Sequence, residues 1–276
     1  MSTLYLVPTP IGNLSDISVR CRETLANADF IAAEDTRVTL RLLNHLALKK
    51  PLVSYHEHNK DVSGKRILAR ILAGECCALV TDAGSPAISD PGEDLVRLCA
   101  ENGVTVTAIA GPCALITALS VSGLPTGRFT FEGFLPVNKK SRAALLASLQ
   151  NEQRTMIFYE APHKLSATLR DLAQTFGDER RIALCRELTK LHEEILRLTL
   201  GEAIARLGQE APRGEFVLIV EGAQPPQTQE FSLADALALV RRRMAQGSSR
   251  KDAVRQTAEE TGFPKNELYA AALEES

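Results

Sequence analysis

Three loops in the first half of the chain carry the residue types that suit a ligand site. They are dense in glycine, proline and small polar residues, and each directly follows a short apolar run: Pro8-Thr-Pro-Ile-Gly-Asn13, Thr81-Asp-Ala-Gly-Ser-Pro-Ala-Ile-Ser-Asp-Pro-Gly92 and Gly111-Pro-Cys-Ala114. Such loops let a ligand approach backbone groups closely, and ligands of open α/β sheets bind at the carboxyl ends of the strands. If only one such loop were present, a tight strand-to-helix turn would be the better explanation. Three of them, with Asp82 and Asp90, favour a ligand crevice in which Gly84 permits close backbone approach.

The loops lack the two common nucleotide-binding patterns. None contains G-x-G-x-x-G or G-x-x-x-x-G-K-[ST], so NAD and nucleoside triphosphates in their usual binding modes are disfavoured.

The elements that must position these loops follow from the hydrophobic pattern. In the first 123 residues, apolar runs predict strands at 4–7, 30–33, 52–55, 76–80 and 105–110. Helical patterns lie between them, at 19–28, 37–48, 65–73, 94–101 and 113–121. Strands that are buried on both faces and separated by helices predict a parallel α/β sheet.

A second α/β block is predicted over residues 124–224. Its strands are expected at 129–131, 155–159, 181–187, 194–200 and 215–220, and its helices at 141–151, 164–176 and 203–207. A linker rich in Pro and Gln follows, and residues 228–276 show helical patterns throughout. The predicted fold class is therefore α/β, with domains at 1–123 and 124–224 and a helical tail at 228–276.

Composition narrows the class of protein. The 276 residues are 45% hydrophobic and 24% charged, which excludes intrinsic disorder, collagen and coiled coil. The net charge of −2 means that any nucleic-acid contact must come from a local patch. The six cysteines form no C-x-x-C pair and indicate a reducing compartment without a metal site. The uncharged stretch 104–127 is interrupted by glycine and proline, so we expect a strand, a loop and a helix rather than a membrane span.

A longer set of motifs, in order along the chain, resembles one protein family. The motifs are Pro8-Thr-Pro-Ile-Gly-Asn-Leu-Ser-Asp-Ile-Ser18, Glu34-Asp-Thr-Arg37, Ser54-Tyr-His-Glu-His-Asn59, Asp82-Ala-Gly-Ser-Pro-Ala-Ile-Ser-Asp-Pro-Gly92, Gly133-Phe-Leu-Pro136, Tyr159-Glu-Ala-Pro-His163 and Arg186-Glu-Leu-Thr-Lys190. They resemble the RsmI family of bacterial 16S rRNA (cytidine-2′-O)-methyltransferases, which belongs to the tetrapyrrole-methylase superfamily (class III methyltransferases). The resemblance covers about residues 3–222, and the helical tail is similar to the C-terminal helical domain of that family.

The resemblance implies two consecutive α/β domains with S-adenosylmethionine folded in the cleft between them, as in diphthine synthase. Carried over residue by residue, the implied cofactor contacts are Pro10, Ser85, Ile88, Cys113, Ala114 and Tyr159. Asp82 and Gly84 join this set because they belong to the second loop. Many relatives have serine where this chain has Cys113, but a contact made through the backbone would tolerate the change.

The implied reaction is methylation of a ribose 2′-hydroxyl of a cytidine in the decoding region of 16S rRNA. Holding the hydroxyl against the methyl carbon supplies much of the catalysis, and a positioned base would take the proton. The candidates for catalysis are Glu34, Asp35, Arg37, His56, Glu160, Glu187 and Lys190, with Asp35, Arg37 and Glu187 preferred. The sequence does not select the base, because Asp35 and Arg37 could pair or cap a helix, His56 could be a surface histidine, and Glu187 could be an ion-pair member.

The tail carries a cluster of cationic residues. They are Arg241, Arg242, Arg243, Arg250, Lys251 and Arg255, with Asp252 as the one acidic residue among them. The segment 249–269 resembles a helix-turn-helix with Gly262 at the turn. An amphipathic helical hairpin with a solvated face would explain the pattern, but the clustering favours phosphate contact with rRNA through Arg241, Arg242, Arg243, Arg250 and Lys251. Lys139, Lys140 and Arg142 form a smaller second cluster.

Two other functions remain open. One is a corrin or porphyrin methylase, which the tail and the motif Glu34-Asp-Thr-Arg37 disfavour. The other is a regulator that senses a small molecule and binds DNA. The superfamily resemblance also implies a homodimer. The lack of a signal peptide and of a membrane span predicts a cytoplasmic protein. The family resemblance implies 16S rRNA, in the 30S subunit, as the partner.

Overall fold

The computed structural model describes residues 2–207, 213–224 and 231–274. The chain divides into two units, Met1–Ala223 and Gln224–Ser276. Each unit is described by itself.

The first unit begins with a five-stranded parallel sheet, as the apolar runs predicted. Its strands are β1 (Thr3–Leu6), β2 (Phe30–Ala33), β3 (Leu52–Ser54), β4 (Cys77–Val80) and β5 (Thr105–Ala108), in the order β3-β2-β4-β1-β5. Its helices are α1 (Val19–Asn27), α2 (Thr36–His45), α3 (Lys60–Leu72), α4 (Gly92–Glu101) and α5 (Ala114–Val121). Every residue of β2 and β4 is buried, because helices cover both faces of the sheet.

A second sheet follows in the same unit, and its strands mostly run antiparallel. The strands are β6 (Phe129–Phe134), β7 (Thr155–Glu160), β8 (Arg181–Arg186), β9 (Glu194–Thr199) and β10 (Phe216–Val220), in the order β6-β7-β10-β8-β9. Its helices are α6 (Lys139–Ser148), α7 (Leu165–Phe176) and α8 (Leu200–Leu207). Among these strands β6 and β7 form the parallel pair, and the other three pairs are antiparallel.

Helix α5 joins the two sheets. It follows the last strand of the first sheet, yet Leu115 and Leu119 pack in one buried cluster with Ile157 of β7 and Val217 of β10. The loop that starts α5 is therefore held against the second sheet. The predicted boundary at 123/124 falls in the chain between α5 and β6.

Several predicted bounds were wrong for identifiable reasons. Helix α3 begins at Lys60 instead of 65, where the Asn59 side chain accepts a hydrogen bond from the His56 N–H and closes the preceding turn. Helix α6 spans Lys139–Ser148 instead of 141–151, because Asn138 caps it by accepting from the N–H groups of Lys140 and Ser141. Strand β6 runs to Phe134 instead of 131, across a bulge at Gly133.

Helix α8 also begins earlier than predicted, at Leu200 instead of 203. Thr199 and Glu202 exchange hydrogen bonds between their side chains and backbone N–H groups, which starts the helix there.

The described part of the second unit consists of three helices, α9 (Leu233–Ala245), α10 (Arg250–Thr261) and α11 (Lys265–Glu274). Ser232 and Ser249 cap α9 and α10, because each side chain accepts a hydrogen bond from the N–H of the third residue beyond. Gly262 ends α10 in the left-handed conformation, as predicted. The linker residues 225–229, the predicted start of the tail at 228 and the last two residues lie outside the described residues.

No helix in the described part of the chain is long and apolar enough to cross a membrane. The uncharged stretch 104–127 contains β5, a loop and α5, as predicted.

Candidate active site

Hydrogen bonds join the three loops into one wall at the carboxyl edge of the first sheet. Thr9 and Gly84 pair through their backbones in both directions, at 2.9 and 3.0 Å. The hydroxyl of Ser85 donates to the Pro112 carbonyl at 2.9 Å. The first loop is thus bonded to the second, and the second to the third.

Two glycines permit this close approach. Gly84 has a φ of +86°, a conformation that side chains other than glycine rarely adopt. At Gly111 a Cβ would lie 2.8 Å from Cβ of Pro8, so the third loop could not pack on the first with any larger residue.

Asp90 shapes the end of the second loop. Its carboxylate accepts hydrogen bonds from the N–H groups of Ala87, Ile88 and Gly92, at 3.0, 3.3 and 2.7 Å. Burial nevertheless raises the pKa of Asp90 above its usual value. Ala87 and Ser89 both have positive φ, so the carboxylate holds a strained turn that presents Ile88.

A cavity of about 430 Å³ opens between this wall and the second sheet, within the range of small-molecule and cofactor sites. Seven of the eight predicted cofactor contacts line it: Asp82, Gly84, Ser85, Ile88, Cys113, Ala114 and Tyr159. The eighth, Pro10, is not among the lining residues, whereas its neighbour Ile11 is.

The second sheet supplies lining residues that sequence reasoning missed. They include Phe134, Ala161, Pro162, Leu188, Phe216 and Val217. Four of them lie within the motifs quoted above, whereas Phe216 and Val217 of β10 belong to no motif.

The cavity wall is strongly acidic. Five carboxylates line it: Glu34, Asp82, Asp90, Glu160 and Glu215. No Lys, Arg or His is among the described lining residues. Burial and the neighbouring Glu34 and Asp35 carboxylates raise the pKa of Asp82. Such a wall favours a ligand that carries positive charge.

Asp35 and Arg37 stand beside this cavity and do not line it. Asp35 caps α2 by accepting from the Arg37 N–H at 2.8 Å, and it also pairs with the Arg37 guanidinium at 2.7 Å. These hydrogen bonds lower the pKa of Asp35 to about 2. The Asp35 N–H donates to Asp82 at 3.0 Å, while the Arg37 side chain is 88% exposed. The pair therefore presents an oriented guanidinium next to a residue of the cavity wall.

Glu187 occupies a strained turn after β8, with a φ of +52°. Its carboxylate accepts from Lys190 Nζ and from the Glu215 N–H, both at 2.9 Å, and this lowers its pKa. Glu187 does not line the cavity, although Leu188 and Glu215 do. Gly12 of the first loop packs on the turn, where a Cβ would lie 2.5 Å from Lys190 Cγ. Glu187 thus holds two wall residues in place.

Glu160 is a buried carboxylate of the wall, at 5% exposure. It accepts from the Ala161 N–H at 2.8 Å and from the Thr168 hydroxyl. Arg142 donates to the same hydroxyl at 2.8 Å and pairs with Asp171. Another sequence candidate for a base, His56, follows β3 and does not line the cavity; its Nδ1 is buried without a hydrogen-bond partner in the described part of the chain.

In the second unit the predicted RNA contacts lie on two neighbouring segments. Arg241, Arg242 and Arg243 end α9, and Arg250 and Lys251 begin α10. Arg243 pairs with Glu260 and donates to Gln256 at 3.0 Å, so it also fastens α9 to α10. Arg242 and Lys251 are exposed.

Family models match both units. The model described as Tetrapyrrole (Corrin/Porphyrin) Methylases matches residues 3–204. The chain belongs to the tetrapyrrole methylase family. The model of the RsmI C-terminal HTH domain matches residues 231–276 of this methylase.

Similar methylases from bacteria are matched over nearly their whole length. The proteins named Ribosomal RNA small subunit methyltransferase I are 50% identical in Synechocystis sp. (274 residues; 99% of this chain, 98% of the relative) and 46% in Escherichia coli O157:H7 (275 residues; 99% and 95%). The chain is therefore a methyltransferase. Its cofactor is S-adenosylmethionine, and a sulfonium cation with an ammonium group fits the acidic, cation-free wall.

Solved structures of the methylase fold match about four fifths of this chain. Diphthine synthase has a TM-score of 0.61 at 13% identity, over 80% of this chain and 90% of that chain. Uroporphyrin-III-C-methyltransferase from Thermus thermophilus has a TM-score of 0.57 at 19% identity, over 80% and 94%. These likenesses confirm the predicted fold class.

Proposed function

We propose that this methylase transfers the methyl group of S-adenosylmethionine to the ribose 2′-hydroxyl of a cytidine in the decoding region of 16S rRNA. The observation that carries the proposal is that the relatives named for small-subunit rRNA match the chain from end to end, including the tail. The acidic cavity supports the choice of cofactor.

Different residues of the first unit bind the cofactor and the RNA. The cofactor supplies a methyl carbon activated by the adjoining sulfonium. The loops around Gly84, Ser85 and Ala114 bind it, and the carboxylates of the wall favour its positive charge. Arg37 binds an RNA phosphate through its planar guanidinium, which holds the ribose against the cavity.

Asp35 orients Arg37 in this scheme. A carboxylate with a pKa of about 2 is a weak proton acceptor near neutral pH. Asp82, which accepts from the Asp35 N–H and has a raised pKa, is the better placed acceptor for the hydroxyl proton. Glu187 acts through Leu188 and Glu215 rather than on the substrate.

The tail supports rRNA over a tetrapyrrole as the substrate. The solved methylases of the fold are matched over 90–97% of their length but cover 79–81% of this chain. This chain has a helical unit with exposed cationic residues, which suits phosphate contact.

A methyl-transfer assay with labelled cofactor tests the function. The substrates are 30S subunits and deproteinised 16S rRNA from cells lacking the enzyme, a porphyrinogen, and duplex DNA. We expect label in 16S rRNA alone, in a nucleotide whose ribose resists alkaline cleavage on its 3′ side. Label in the porphyrinogen or in DNA, or on a base, would refute the proposal.

We also infer that the methylase acts as a homodimer in the cytoplasm, where 30S subunits are assembled. Sedimentation equilibrium should give twice the mass of 30.0 kDa. The mass of a single chain would refute the dimer.

A further inference from the structure

Phe134 has an exposed aromatic ring at the cavity, and a bulge in strand β6 places it there. Its side chain is 57% exposed, and it lines the cavity. Its ring meets Tyr159 edge to face, with the centroids 5.6 Å apart. Phe131 meets the same Tyr159 ring at 5.0 Å.

A bulge brings Phe131 and Phe134 to one face of the sheet. Residues three apart on a regular strand point to opposite faces. Here Phe131 lies opposite Ile157 and Phe134 opposite Tyr159, with a register shift between Phe131 and Gly133. Gly133 adopts a φ of +63° to make this shift. Bulges beside active sites commonly re-aim a side chain in this way.

The surroundings of the ring suit an unpaired nucleotide. Ile88, also at the cavity, is 45% exposed. Lys139 and Lys140 begin α6 a few residues after Phe134; both are exposed, and neither makes an ion pair with another described residue. An exposed aromatic ring and cationic side chains on the helix that follows its strand are the residue types that bind unstacked bases and their phosphates.

We propose that the Phe134 ring is the surface on which a base of the rRNA substrate stacks, so that the attached ribose faces the cavity. The inference rests on the proposed function, because it needs an RNA substrate. Stacking uses the face of the ring, and the edge-to-face contact with Tyr159 fixes the plane of that face. Loss of one such contact lowers RNA affinity by about tenfold to 100-fold.

The test compares Phe134→Leu with Phe134→Trp. Leucine keeps an apolar side chain without a flat face, while tryptophan keeps the flat face. Phe129→Leu is the matched control, because Phe129 lies on the same strand, is 38% exposed and does not line the cavity. The readouts are kcat/KM on 30S subunits from cells lacking the enzyme, calorimetric affinity for S-adenosylmethionine, and mass in solution.

We expect Phe134→Leu to lower kcat/KM at least tenfold through a higher KM, with Phe134→Trp and Phe129→Leu near the parent. Cofactor affinity and mass should not change. Equal kcat/KM for Phe134→Leu and the parent overturns the inference. So does weaker cofactor binding, which would make Phe134 a cofactor contact, or a changed mass, which would make it a contact between copies. An inactive parent protein would instead refute the proposed function.

Discussion

At the scale of single residues, Asp35 and Arg37 form the best defined pair at the site. Since asparagine caps helices as well as aspartate does, Asp35→Asn should leave α2 intact while removing the ion pair. We expect Asp35→Asn and Arg37→Ala each to lower single-turnover methylation by about tenfold to 100-fold, the value of one charged hydrogen-bonded contact. The double variant should lose no more than either single variant, because the two residues act as a unit.

Arg41→Ala is the control for this pair, since Arg41 is exposed one turn further along α2. Full activity of Asp35→Asn would show that Asp35 only caps α2 and has no part in turnover. Additive losses would mean that the two residues contribute separately.

Gly84 offers a second test at the residue scale. Gly84→Ala should weaken cofactor binding, because Gly84 lines the cavity and an added Cβ would occupy the close approach that glycine permits. The strained φ of +86° should also cost about 1–3 kcal/mol of stability. Gly103→Ala is the matched control: its φ is +71° and a Cβ there meets nothing within 4 Å. Calorimetric titration and thermal unfolding separate the two effects. Equal cofactor affinity of Gly84→Ala and Gly103→Ala would show that Gly84 is not part of the cofactor site.

At the scale of elements, the first sheet could be predicted and the second only in part. The apolar runs of β2 and β4 carry the signal of a sheet buried on both faces. The strands of the second sheet were also found, but their directions depend on connections such as the turn at Glu187 and Thr189. Both residues have positive φ without being glycine, so no turn signal marks them.

The candidate site could also be predicted only in part. The three loops could be predicted because all three are rich in glycine, proline and small polar residues and each follows an apolar run. Phe134 could not, because Gly133 indicates the end of a strand and instead forms a bulge within it. Phe216 and Val217 could not either, since β10 carries no motif, and Val217 shares a buried cluster with α5, a helix of the first sheet.

At the scale of the whole molecule, the tail sets the expected salt dependence of RNA binding. Each phosphate contact contributes roughly 0.7–0.9 to the slope of log affinity against log salt. Deletion of residues 228–276 should therefore flatten this slope and weaken RNA binding, while cofactor affinity stays the same. Filter binding of 16S rRNA over a range of KCl concentrations measures it.

A milder change tests the same unit without deleting it. Arg242→Ala with Lys251→Ala removes two exposed cations and should lower the slope by about one to two. Arg255→Ala is the control, because Arg255 already pairs with Asp252 and Glu259. Unchanged slopes for both the deletion and the double variant would leave the tail with a structural role.

The position of α5 has a consequence for folding. The helix belongs by sequence to the first sheet, yet its buried residues complete the core of the second. A fragment of residues 1–123 would expose Leu115, Ala118 and Leu119 to water, so we expect it to bind the dye ANS and to aggregate. The intact chain should lose both sheets in one calorimetric transition. The two sheets are thus separate in topology but share one folding unit, and we expect neither to fold without the other.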